Sequence, residues 1–564
     1  MTTLTRNRSV TMVEIARECA DIEMRELSGA LPDDIALLRR FYTECYEPAF
    51  PDPDERESLA NMESYLALKE QGWYGTNNYH IVIASTGGEI VGASVCDYLA
   101  TPNAGVVEYL LVQPGFRRSG LGSQLLRTIE QLCREDALET SARGLDWIIA
   151  ETEDPYRTPV PTKGFDTFAR AHVMNGLGFR ILDFDYAQPA LSKEQAPADN
   201  LLLIARPTDG VSELIRTDVA LSIVAEYMRW AMRIDDPAGN SEYRNMARVL
   251  GWRSSIRLIE FGEYLGWDTE RPLHIAEVAD VQDPELAAAI SVYDSVYTDP
   301  ETSWPGEIFR SAVEQKPVFM DAGYVYHLWG IHETAAGLCD GMASFVTMPS
   351  AGFGGYTALG PSLRGTGRLR QIIACTEERM IRDNPDVRGW YIECSEEVNC
   401  RIFSSVGFFE LDLTYEQPLT EGSGAPTPPL RLHLLYKPFG RVYRPPTIER
   451  AAFLQAVTEI YWAIYGVNAG SDPSFGRLVD SIKGCETVSA VRVGSVVEIS
   501  TVDGLATIIV DALWDKERTG GTAFTGTLIS PEPTAAGDQQ VPLSGCTEQI
   551  VRIVRKRESS CEDA

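Results

Sequence analysis

The sequence predicts a mixed α/β fold, α+β in the order of its elements. It occurs twice in tandem, each copy is followed by a helical tail, and a small β element closes the chain. Three observations predict this. Short β-branched and aromatic runs are interleaved with stretches whose apolar residues recur at helical spacing. One passage, VVEYLLVQPGFRRSGLGSQLL, reads as strand, glycine-containing turn and helix. The same pattern then returns in the second half of the chain.

The elements follow in order. Residues 34–48 and 56–70 have the apolar spacing of helices. HIVIAS (80–85) and EIVGASVCDYLA (89–100) are strands around a Thr-Gly-Gly turn. VVEYLLV (106–112) is a strand that Pro114 and Gly115 end. Residues 122–135 form a helix with Leu125, Leu126, Ile129, Leu132 and Cys133 on one face. LDWIIAE (145–151) is a strand, 167–176 a helix, and FRILDFDYAQ (179–188) a returning strand. Residues 211–265 read as the first helical tail and 450–483 as the second. VSAVRVGSVVEIS (488–500), ATIIVDALW (506–514) and TAFTGTLIS (522–530) read as strands of the extra β element, and 531–542 as an exposed loop.

The duplication is visible residue by residue. At an offset of 247, Tyr79-His80 matches Tyr326-His327, and Tyr109, Pro114, Arg117, Gly120, Gln124 and Glu130 recur as Tyr356, Pro361, Arg364, Gly367, Gln371 and Glu377. Trp147 aligns with Trp390 at 243, and GFRILDFDYAQP (178–189) with GFFELDLTYEQP (407–418) at 229. The falling offset places an insertion in the first copy around Glu151–Asp166, a proline-rich loop expected beside the acceptor side of the site. The domain boundaries expected are an N-terminal extension over 1–29, the first copy over 30–208, its tail over 209–268, the second copy over 269–439, and a tail with the small β element over 440–564.

Composition narrows the function classes. The chain has 564 residues, 44% hydrophobic and 23% charged, as in ordinary soluble globular protein. No apolar run is long enough to span a bilayer, and the N-terminus lacks an apolar core with a cleavage site, so a cytoplasmic location is expected. A net charge of −31 opposes nucleic acid and anionic membrane. Eleven cysteines contain no CxxC pair, the nearest being Cys394 and Cys400, and no zinc spacing is completed by the six histidines; no metal is expected.

Arg117-Arg118-Ser119-Gly120-Leu121-Gly122 joins strand to helix. Glycines let the backbone come close to a ligand, and the N–H groups and dipole at a helix N-terminus favour a pyrophosphate. The segment is neither a dinucleotide fingerprint nor a P-loop. It resembles the signature of the GNAT acyltransferase superfamily, with a strand ending V-x-P, then Arg-x-x-Gly-x-Gly and a helix, filled here by Arg117, Gly120 and Gly122. That resemblance implies an acyl-CoA co-substrate such as acetyl-CoA. It implies that the backbone of Leu110, Leu111 and Val112 pairs with the pantetheine arm. The N–H groups of Arg118, Ser119, Gly120, Leu121, Gly122 and Ser123 would hold the pyrophosphate.

In the second copy the turn reads Arg364-Gly365-Thr366-Gly367-Arg368-Leu369, with Leu369 at the position of Gly122. In the family a carboxylate near Glu108 commonly takes the proton of the attacking amine; its counterpart is Gly355. Glu108 reads as that base, as a solvated strand residue, or as one that binds substrate electrostatically. Glu151, at the end of the next strand, is the second candidate, with a shared structural role as its alternative because Glu393 lies near the matching place. The family's usual acid is a tyrosine four residues before Gly-Phe, where this chain has Met174 and Phe403. Water, His172 or Tyr186 is left to protonate the thiolate. Tyr186 and His80 recur in the second copy as Tyr415 and His327, which favours packing. The resulting expectation is an N-acyltransferase acting on a small-molecule amine in a ternary complex, catalytic in the first copy. The alternatives are an aminoacyl-tRNA-dependent transferase, a non-catalytic acyl-CoA-binding protein, and thioester decarboxylation on the same fold.

Overall fold

The computed structural model describes residues 22–491 and the strands 495–501, 504–514 and 523–530, except for 51–55, 141–143, 159–165, 191–196, 252, 268–270, 299–303, 336, 419–429 and 444. It divides into two compact units. One comprises Met1–Asp154 with Phe168–Glu260, the other Pro155–Thr167 with Phe261–Ala564.

The first unit contains β1 (Glu23–Glu26), α1 (Pro32–Phe41), α2 (Leu59–Glu70), β2 (Asn78–Thr86), β3 (Glu89–Leu99), β4 (Ala104–Val112), α3 (Leu121–Glu139), β5 (Trp147–Glu153), α4 (Thr167–Gly176), β6 (Arg180–Leu182), β7 (Leu201–Pro207), β8 (Leu214–Arg216), α5 (Thr217–Trp230), α6 (Ser241–Leu250) and β9 (Ser255–Ile259). Its strands lie in the order β1-β2-β3-β4-β5-β7-β6-β9-β8. All pairs are antiparallel except β4 with β5.

The second unit repeats this plan. After α7 (Phe261–Leu265) come β10 (His274–Glu277), α8 (Pro284–Val296), α9 (Glu307–Glu314), α10 (Lys316–Asp321), β11 (Val325–His332), β12 (Cys339–Thr347), β13 (Gly352–Leu359), α11 (Arg368–Asp383), β14 (Gly389–Cys394) and α12 (Glu397–Ser405). Then follow β15 (Phe409–Leu411), β16 (Tyr415–Glu416), β17 (Arg431–Pro438), β18 (Thr447–Glu449), α13 (Arg450–Tyr465), α14 (Pro473–Ser481) and β19 (Thr487–Val491). With β16 set aside as a short partner of β17, the order β10-β11-β12-β13-β14-β17-β15-β19-β18 is that of the first sheet.

Four expectations change. The first tail is not purely helical, since β8 and β9 lie within it and extend the first sheet, and the second is flanked by β18 and β19, which extend the second sheet. The run at 488–500 is therefore two strands, β19 in the large sheet and β20 (Ser495–Thr501), which joins β21 (Gly504–Trp514) and β22 (Ala523–Ser530) in a separate antiparallel sheet. The returning strand stops at Leu182, because Asp183 N–H bonds Arg257 O and Phe184 N–H turns back to Leu182 O. The register pairs Gly105 with Ile148 and Gly352 with Trp390, so Ile148, not Trp147, is the counterpart of Trp390, and Glu151 and Glu393 correspond. The loop at 531–542 lies outside the described residues. Among those that are described, no helix is long and apolar enough to cross a membrane.

Helices α1 and α2 bury Leu38, Phe41, Met62 and Leu66 against Ile81, Ile83 and Val95 on one face of the first sheet. On another part of the sheet Ile223, Val224 and Met228 of α5 pack with Ile149 and Leu203. The second unit has the corresponding core, with Leu286, Tyr293 and Phe309 against Leu328, Met342 and Phe353. These contacts cover one face of β4 and β5.

His80 is a structural member of this frame. Its Nδ1 lies 2.7 Å from Glu26 Oε1 and its Nε2 2.7 Å from Asp136 Oδ2. Burial alone would lower its pKa, but the two carboxylates overturn that and hold it at about 9. Burial would raise Glu26, yet His80 and Lys69 draw it down to about 2. His327 repeats the arrangement with Glu277 and Asp383. The signs set a pH window. Stability from His80 is whole below its ordinary 6.5 and is lost as pH rises through about 9. Stability from Glu26 is present above 4.5 and is lost as pH falls toward 2. Thermal unfolding of His80→Gln should thus fall furthest below wild type between these limits, near pH 5–6, and the gap should narrow toward pH 9. A gap independent of pH would remove the charge from this account.

Candidate functional site

The parallel pair β4–β5 is short. Ala104–Val107 face Trp147–Ala150, and the pairing ends there. Beyond it, Leu110, Leu111 and Val112 pair with Ser94, Ala93 and Gly92 of β3, while the β5 side of β4 carries no strand among the described residues. The strands splay, leaving backbone donors and acceptors along one edge. The three residues assigned to the pantetheine arm lie on that edge.

The turn to α3 completes the groove. Arg118 and Gly120 both adopt left-handed backbone, at φ 64° and 87°. The second copy repeats these angles with Gly365 at 71° and Gly367 at 81°. Arg117 Nε donates to Val112 O and Ser119 Oγ to Phe116 O, and Arg364 and Thr366 do the same with Leu359 O and Leu363 O. These side chains thus shape the turn in both copies. Leu121, buried, and Gly122 and Ser123 form the first turn of α3, whose leading N–H groups have no helical partner. A Cβ at Gly122 would meet nothing nearer than Val112 Cγ2 at 3.7 Å. The protein's own packing does not demand glycine there.

Glu108 stands at an irregularity. Val95 pairs with Tyr109 and Cys96 with Val107, so Glu108 is the extra residue of a β-bulge. The bulge turns its half-buried carboxyl toward Asp97, with which it shares a hydrogen bond. Asp97 is 4% exposed. Burial, then the facing Asp97 carboxylate, push Glu108 well above the usual carboxylate range, and burial also raises Asp97. By register, the second copy has Val346 at the place of Asp97 and Gly355 at that of Glu108. A Cβ at Gly355 would lie 2.8 Å from Ser344 Oγ, which is engaged by the Tyr356 N–H. Both carboxylates and the space for one of them are absent from that copy.

Arg233 offsets the charge of the pair. Its guanidinium lies 4.4 Å from the ring centre of Tyr65 and 4.7 Å from that of Trp73, and it donates to Tyr74 Oη at 3.4 Å. Its charge lowers the pKa of both Asp97 and Glu108. Arg233 follows α5 in left-handed backbone, φ 55°, where L-residues other than glycine are uncommon. Counted from the first residue of each helix, the second copy has Gly466 there, at φ 65°. The first copy thus places a strained arginine where a glycine would suit the backbone.

Glu151 follows Ala150 at the mouth of the splay. Tyr186 Oη, Gln188 Nε2 (2.7 Å) and Tyr227 Oη (3.3 Å) all donate to it. Burial raises its pKa to about 7 against those three hydrogen bonds. Glu393 is held in the same way by Tyr415 (2.5 Å) and Tyr465. Glu151 therefore belongs to a tyrosine-capped carboxyl common to both copies, whereas Glu108 belongs to the first copy. His172 is exposed on α4 and Tyr186 is committed to Glu151.

Sequence reasoning did not find Asp97, Arg233 or Tyr227. Asp97 had a signal, since it interrupts the apolar run of EIVGASVCDYLA. Arg233 had none, because its role depends on helix α5 returning to the sheet.

Residues 35–146 match the model of the Acetyltransferase (GNAT) family. No curated protein matches the chain. Among solved structures, a GNAT-family protein from Bacteroides thetaiotaomicron is 17% identical, covering 38% of this chain and 99% of its own, with a TM-score of 0.27. A tandem GNAT protein from the clavulanic acid biosynthesis pathway is 14% identical over 75% of this chain and 100% of its own, TM-score 0.24. An N-acetyltransferase from Thermoplasma acidophilum in complex with coenzyme A is 12% identical over 33% and 99%, TM-score 0.23.

Proposed function

We propose, from the premise that the first copy is a GNAT-family domain and the second its duplicate, that the chain is an acyl-CoA-dependent N-acyltransferase whose chemistry resides in the first copy. The observation that carries this reading is the Glu108–Asp97 pair at the opening between β4 and β5, in the same copy as an unencumbered glycine at the start of α3. The N–H groups of residues 118–123 bind the pyrophosphate, and the β4 edge from Leu110 to Val112 binds the pantetheine arm. The thioester then lies at the bulge.

An amine nitrogen attacks the thioester carbon. The C–N bond forms, the C–S bond breaks, and coenzyme A leaves as a thiolate. Glu108, in its ionised form, takes the proton of the amine and shares it with Asp97 through their hydrogen bond, so the pair acts as one base. Water protonates the thiolate. The acceptor is a small molecule, and the net charge of −31 favours a cationic one.

The test is release of free thiol from a panel of acyl-CoAs and amines. Amine-dependent thiol release in an equimolar ratio to amide supports the reading. Binding of acyl-CoA with no turnover on any amine would favour a non-catalytic acyl-CoA-binding protein, and RNase-sensitive transfer without CoA an aminoacyl-tRNA-dependent transferase.

A further inference from the structure

We infer that Glu285, His332 and Cys339 of the second copy form a binding site for a divalent transition-metal cation of the zinc class. Three donors of different chemistry converge there from separate segments, a carboxylate oxygen, an imidazole nitrogen and a thiol, all within 4.8 Å of one another. His332 ends β11 and Cys339 begins β12, and the two face each other across the hairpin. Glu285 comes from the first turn of α8, where the Asp283 side chain caps the helix by accepting from its N–H.

The supporting geometry favours ligation. His332 Nδ1 lies 3.0 Å from Gly337 O, a donation that orients the ring and leaves Nε2 facing the cluster. His332 Nε2 lies 3.0 Å from Glu285 Oε1, a hydrogen-bonded contact that a shared cation would replace. The carboxylate lies over bare backbone, since a Cβ at Gly330 would fall within the Glu285 carboxyl. At the matching register the first copy has Ile83 for Gly330, and Ser85 and Ile90 for His332 and Cys339. An ion pair alone would need only the histidine and the glutamate. The second copy has a thiol, a nitrogen and the room for a carboxylate at one place.

The donor set selects the ion. Thiolate and imidazole disfavour calcium and magnesium and suit zinc. Glutamate and thiolate together neutralise a divalent charge. Binding releases to solvent the Cys339 proton and the one held between His332 and Glu285, and the fourth position is left for water or an external ligand.

The full-length chain, stripped with chelator and reduced, should bind one equivalent of Co²⁺ with a thiolate-to-cobalt charge-transfer band that Zn²⁺ abolishes by displacement. Cys339→Ser should lose that band, and His332→Gln should weaken binding by roughly 10–100-fold. Metal-free thermal unfolding of both variants shows whether they fold. Cys394→Ser should leave the titration unchanged. The proposal is overturned by the absence of equimolar binding, by a band that survives Cys339→Ser, or by one that disappears in Cys394→Ser. None of these outcomes touches the acyl-transfer reading, which concerns the other copy.

Discussion

Replacing Glu108 by glutamine should lower kcat by roughly 10²–10⁴-fold and leave acyl-CoA affinity little changed. The substitution keeps shape and hydrogen bonding but removes the atom that accepts the amine proton. Asp97→Asn separates two accounts of the same residue. Burial and the Asp97 charge both push Glu108 up, so removing that charge lets its pKa fall while burial still holds it above an ordinary carboxylate. The acid limb of the pH–rate profile, where activity rises as the base loses its proton, should then move to lower pH. A profile identical to wild type would mean that the pair is not the titrating unit. Full activity in Glu108→Gln would return Glu108 to the alternative of a strand residue without a role as base. Measurement requires kcat and kcat/KM against pH at saturating acyl-CoA.

The same pair shows how far the sequence could be read. Short runs of β-branched and aromatic residues specified β2 to β5, because a strand on a covered sheet is apolar along its length. The duplication specified the second unit almost element for element. What the sequence did not mark depends on pairing between distant residues. The bulge at Glu108 comes from the register of β3 against β4, and no local composition signals it. Strand β1, with residues Glu-Met-Arg-Glu, lacks an apolar pattern because it is an exposed edge held by pairing with β2. Strands β8 and β9 were hidden inside a stretch of helical periodicity, each only a few residues long. Arg233 illustrates the limit most clearly: its backbone conformation favours glycine, and only its stacking on Tyr65 and Trp73 explains an arginine. The cluster of Glu285, His332 and Cys339 escaped for the same reason, since its members are 47 and 7 residues apart in no metal-ligand spacing.

Gly122→Leu should weaken acyl-CoA binding by roughly tenfold or more without loss of stability. The two readouts are expected to move independently for a physical reason. In the first turn of α3, leucine is a better helix former than glycine by up to about 1 kcal/mol. The only neighbour within 4 Å of a Cβ there is Val112 Cγ2, at ordinary contact distance. The folded protein should therefore accept the side chain or gain from it. Bound coenzyme should not, because the branched group would stand over N–H donors that a pyrophosphate must approach closely. The second copy already carries this residue as Leu369, although its Gly365 and Gly367 preserve the backbone of the turn. That combination separates the two requirements: the left-handed positions shape the loop, and the third glycine leaves its face open. Calorimetric titration with acyl-CoA alongside thermal unfolding would read both. Wild-type affinity in Gly122→Leu would place the coenzyme elsewhere, and a fall in unfolding temperature would show that the glycine serves packing.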